Sequence, residues 1–154
     1  MIQRIQTLYL LMLVASLVAA IFMPWGNFFT ADTVYSYEAF AVKSTVGQAD
    51  SIAFWALGVI LAVCALSAFV SIFYFKQRLT QVRFCIFNLI ALIGFYIVFV
   101  IALFITKAQL QASFGLNFGF ALPLVGMILD FLAMNAILKD EKKVRAYQRI
   151  RYVT

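Results

Sequence analysis

Four apolar stretches dominate this chain, at 7–25, 52–75, 84–105 and 118–138. Each is close to the ~20 residues that cross the ~30 Å hydrocarbon core of a bilayer at ~1.5 Å rise per residue. Backbone in hydrocarbon has no water to bond, so stretches of this length are expected as helices. Composition agrees: 66% of residues are hydrophobic and 12% charged, against about half and a quarter in soluble domains. So little polar surface does not coat a globule in water. The expected fold class is an all-α membrane protein, one four-transmembrane-helix bundle over residues 1–154 with a basic tail at 139–154. Arg4 ahead of an apolar stretch with Ala15, Ala19 and Ala20 also resembles a cleaved signal peptide. The stretch is longer than a typical signal core, and a retained helix is expected.

The basic residues orient the bundle. Arg4, Lys76, Arg78, Arg83, Lys139, Lys142, Lys143, Arg145, Arg149 and Arg151 fall on one side of four successive spans, and Lys43 and Lys107 on the other. A bias this strong puts both termini in the cytoplasm by the positive-inside rule. The net charge of +6 is therefore mainly a topology signal. With no recognition motif beside it, it does not point to nucleic acid.

The first outer loop, 26–51, carries a strand-rich segment at 33–42, and Ala31-Asp32 can turn it back on 25–30. A short β-hairpin capping the outer face is expected. Its aromatics, Trp25, Phe28, Phe29, Tyr35, Tyr37 and Phe40, read as interfacial anchors or loop packing, with a partner surface as the alternative.

Several chemistries are excluded. The chain has no histidine, which removes Ser-His-Asp and Cys-His catalysis, the usual zinc sites and His-ligated haem. It has no Gly-rich phosphate loop. By these run boundaries Cys64 lies mid-span and Cys85 at a span edge. Their depths differ by ~15 Å, too far for a disulfide, so both read as packing residues. No enzyme activity, cofactor or metal site is expected.

The opening Met1-Ile2-Gln3-Arg4-Ile5-Gln6-Thr7-Leu8-Tyr9-Leu10, with Leu122-Pro123-Leu124 and the run from Ile137 to Arg145, resembles a bacterial four-helix membrane family, domain-of-unknown-function family 4293. The four spans between these blocks fit as well, and the resemblance covers the whole chain. Where the family closes on Asp-Arg-Leu-Arg, this chain reads Gln148-Arg149-Ile150-Arg151. The resemblance implies a bacterial inner-membrane protein and no particular activity.

Asp130 is the one ionisable residue inside a span, tyrosines and cysteines aside. Such acids raise a functional hypothesis by default. Gly119, Pro123, Gly126, Asp130 and Ala133 step by 4, 3, 4 and 3, a stripe of small residues that lets helices approach closely and turns Asp130 away from lipid. With no cation at its depth, the neutral acid is favoured. Ser67 and Ser16 lie at similar depth, and Asn88 one turn nearer the cytoplasm. The structural reading is an interhelical hydrogen bond to a hydroxyl or carbonyl; the functional readings are proton coupling or contact with another protein's cation. Asn135 and Asn88 form a second candidate polar layer, and Tyr96 is expected to find a nearby acceptor. In the tail, Lys142, Arg145 and Arg149 share a helical face suited to anionic headgroups or to an acidic partner.

Two functions follow as expectations. The first is a non-enzymatic scaffold or accessory subunit of an inner-membrane complex, with protein partners or as a homo-oligomer. The alternative is a small proton-coupled transporter or oligomeric channel centred on Asp130.

Overall fold

A computed structural model describes residues 2–44, 52–53 and 55–153. The chain is mostly helical. Four helices are long and apolar enough to cross a membrane, and a small β-sheet gathers at one end. The order is α1 (Ile2–Phe22), β1 (Gly26–Phe29), β2 (Val34–Tyr37), β3 (Ala41–Ser44), β4 (Ile52–Ala53), α2 (Trp55–Phe73), α3 (Arg78–Leu110), β5 (Ser113–Leu116), a 3₁₀ turn (Phe118–Phe120) and α4 (Ala121–Val153).

Helix ends differ from the apolar run ends for local reasons. α1 stops at Phe22 rather than residue 25, because Pro24 disfavours helical backbone in Met23. α2 starts at Trp55 because residues 52–53 pair as a strand with β3. α3 is longer than its apolar run at both ends. It begins straight after the 74–77 turn, where the Tyr74 and Gln77 amides donate to the Ser71 and Tyr74 carbonyls. It closes on Gln111 at φ 46°, the left-handed cap that lets the chain leave a helix. α4 carries the basic tail as continuous helix to Val153.

The expected hairpin is present. β1 and β2 pair antiparallel from Gly26↔Tyr37 to Phe29↔Val34. Their turn is closed by the Thr30 amide donating to the Thr33 carbonyl at 3.0 Å. The all-α expectation is nonetheless corrected, because this hairpin is the centre of a five-stranded sheet ordered β4-β3-β2-β1-β5. β5, from the connection between α3 and α4, adds to β1 with Phe28 opposite Phe114. Four residues with little alternation left no strand signal in the sequence.

Every helix has one end at this sheet, so the bundle has a sheet end and a basic end. α1 packs against α2 and α4, and α3 against the same two. The outside of the bundle is apolar, with Leu11, Leu66, Ile90, Ile97 and Ile128 all exposed. Such a surface suits contact with a bilayer.

The sheet is locked onto the helices by aromatic rings. Trp25 meets Phe95 edge-on at 5.3 Å, Tyr37 stacks on Phe99 at 5.3 Å, and the Trp25 indole donates to the Ala20 carbonyl at 2.8 Å. Trp25, Phe28 and Tyr37 are fully buried, and burial pushes the Tyr37 phenol well above its ordinary value. These three are core residues, not interfacial anchors. Phe29 and Phe40 remain exposed.

Candidate functional site

The stripe on α4 faces the bundle as its spacing required. Gly119, Pro123, Gly126, Asp130 and Ala133 are all buried. A Cβ on Gly126 would lie 3.3 Å from Leu13, Ser16 and Leu17 of α1, so the missing side chain is what lets α1 and α4 come close.

Asp130 lies 1% exposed within the stripe, but its neighbours are not the expected ones. Neither carboxyl oxygen has a hydrogen-bond partner among the described residues. The Ser16 hydroxyl donates instead to the Leu13 carbonyl of its own helix at 2.8 Å. Ser67 donates to the Cys64 carbonyl of its own turn and its hydroxyl lies against the Asn88 side-chain amide of α3. The expected interhelical hydrogen bond from Asp130 to a hydroxyl or carbonyl is therefore corrected: none forms among the described residues. Helix backbone offers a hydroxyl an acceptor three residues back at no cost in reach.

The side chain that does approach the carboxyl is the Cys85 thiol. This corrects the depth assigned to Cys85. α3 begins two turns before it, so Cys85 sits inside the bundle. Measured from the short turn joining α2 and α3, Cys64 and Cys85 differ in depth by roughly 3 Å, at 1.5 Å per residue. Both are free and buried. Three helices thus build one layer: Cys64 and Ser67 from α2, Cys85 and Asn88 from α3, Asp130 from α4. Asn88 is buried, and its amide nitrogen has no partner among the described residues.

Asn135 does not join Asn88. It lines a groove of about 360 Å³ between α1 and α4 at the basic end. Tyr96 found its acceptor, donating to the Phe120 carbonyl at 3.0 Å.

A family model matches residues 2–150. The chain belongs to the DUF4293 family, a domain of unknown function. Among curated proteins none matches it. The match takes in the polar layer and nearly all of α4, so the layer and the basic extension both belong to the family's domain rather than to an appendage.

At the basic end, polar contacts that sequence spacing did not reveal tie the helices together. Arg78 at the start of α3 pairs with Asp140 of α4 at 3.3 Å, both largely buried. Gln81 donates to the Ser71 carbonyl at 3.0 Å, and Gln6 of α1 to the Ala136 carbonyl at 3.2 Å. Lys142, Arg145 and Arg149 are exposed on the α4 extension, and Arg145 holds Glu141 at 3.0 Å. Among the described residues no three His, Cys, Asp or Glu side chains group closely enough to hold a metal ion.

Proposed function

We propose that this chain is a non-enzymatic scaffold or accessory subunit of a complex in the bacterial inner membrane, with both termini cytoplasmic. The observation that carries this reading is the α4 extension. α4 runs unbroken to Val153 and presents Tyr147, Tyr152 and Val153 exposed beside Lys142, Arg145, Arg149 and Arg151. A rigid arm with exposed aromatic rings and bases is composed like an interface, where Tyr and Arg are enriched. The strong Lys/Arg bias toward the basic end supports a cytoplasmic position for that arm. Anionic headgroups are the expected lipid partners of its basic face.

Purification of the full chain from native membranes tests the proposal. Stoichiometric partners that are lost when Tyr147, Arg149 and Tyr152 are replaced by alanine support it. A protein that purifies without partners overturns it.

A second reading rests on Asp130. A buried polar group without a partner costs about 1–3 kcal/mol, and an acid kept at that cost inside a span is a candidate proton site. On this reading the chain is a small proton-coupled transporter or oligomeric channel. Proton uptake by reconstituted vesicles, abolished in Asp130→Asn, is the result that favours it.

A further inference from the structure

The groove between α1 and α4 changes character along its length. Its lining is Ile5 and Tyr9 from α1, with Leu132, Asn135, Ala136, Lys139, Asp140 and Lys143 from α4. α4 runs toward the basic end, so Leu132 lies deepest in the bilayer zone, Asn135 a turn further out, then Lys139 and then Lys143. On α1, Tyr9 is the deeper residue and Ile5 the outer. The groove is therefore apolar and aromatic within the membrane, amide-lined at the boundary and doubly cationic at the water.

The groove is also braced. Gln6 donates to the Ala136 carbonyl at 3.2 Å, holding α1 to α4 between its two walls. Asp140, the one acid in the lining, pairs with Arg78 of α3 at 3.3 Å, so its charge is matched from outside the groove. Lys139 and Lys143 stand one turn apart on the same face and form no ion pair among the described residues.

We propose that this groove binds one anionic glycerophospholipid, its phosphate between Lys139 and Lys143, its ester region at Asn135 and an acyl chain along Leu132 and Tyr9. The polarity gradient is that of a phospholipid, and a soluble phosphate would leave the apolar half of the groove unused. The inference does not depend on whether the chain acts as a scaffold or as a transporter. It is also separate from the tail face of Lys142, Arg145 and Arg149, since Arg145 lines a different cleft with Arg78 and Gln148.

Native mass spectrometry of the full chain in a neutral detergent tests it, titrating phosphatidylglycerol against phosphatidylcholine of the same acyl chains. One phosphatidylglycerol should bind about tenfold or more tighter, the preference expected of two bases at a headgroup. Lys139→Gln with Lys143→Gln should bring it down to the phosphatidylcholine level. Lys139→Arg with Lys143→Arg should retain it, which separates lost charge from lost fold. Lys142→Gln with Arg149→Gln should leave it unchanged. Equal binding of the two lipids, or an undiminished preference in the Lys→Gln pair, overturns the site. Displacement of the lipid by millimolar inorganic phosphate overturns its assignment to a lipid.

Discussion

At Asp130 the surroundings decide what a substitution does. Its carboxyl makes no hydrogen bond among the described residues, so Asp130→Asn keeps shape and removes nothing that was paired. The expected change in stability is roughly 1 kcal/mol or less, read by thermal unfolding in detergent. Asp130→Leu likewise breaks no hydrogen bond. Fitting a larger side chain beside Cys85 costs about 1–3 kcal/mol, offset in part by removal of the unpaired buried acid. A loss well beyond that range in the Asn variant would show that Asp130 is structural after all. If the residue moves protons, the same variant stays folded and is inactive, so stability and transport must be measured together. The position of Asp130 on a buried stripe was legible from its 4-3-4-3 spacing. The partner was not, because reach across helices depends on which hydroxyls are already bound within their own turns.

Two elements carry predictions of their own. The 3₁₀ turn that starts α4 is wedged under α1's exit: a Cβ on Gly119 would meet the Pro24 carbonyl oxygen at 2.3 Å. Backbone cannot yield as a side-chain tip does. Gly119→Ala should therefore destabilise by about 1–3 kcal/mol, while Gly94→Ala, which meets nothing within 4 Å, should be neutral or mildly stabilising in α3. Melting curves of the two variants check the contrast, and equal behaviour would contradict the packing described. The α4 extension is the other element. If Lys142, Arg145 and Arg149 hold headgroups, a peptide of residues 139–154 should bind anionic vesicles and be released at high salt. Salt-insensitive binding, or none, would instead favour the protein interface. α4 continues through 139–153, beyond the 118–138 expected from its apolar run; β5 was not legible either, since a four-residue strand exists only because β1 is there to pair with it.

For the whole molecule, the testable statement is orientation. All four helices abut the sheet, the basic residues gather at the opposite end, and a cytoplasmic basic end requires the sheet to face outward. Reporter fusions at Val153 and at Lys43 should lie in opposite compartments; finding both on one side would undo the arrangement. Four helices long and apolar enough to cross a membrane and the inward face of α4 follow from the sequence, because hydrophobic length and 3.6-residue periodicity are local properties of each segment. The hairpin turn at Ala31-Asp32 belongs with them. What only the tertiary structure decided is who meets whom: β5 completing a sheet from a distant loop, Trp25 and Tyr37 withdrawn from the interface into the core, Cys85 carried inward by a longer α3, Arg78 held by Asp140. Each of these joins residues far apart in the chain, and neither hydropathy nor spacing within one segment encodes the rotation and depth at which two helices pack.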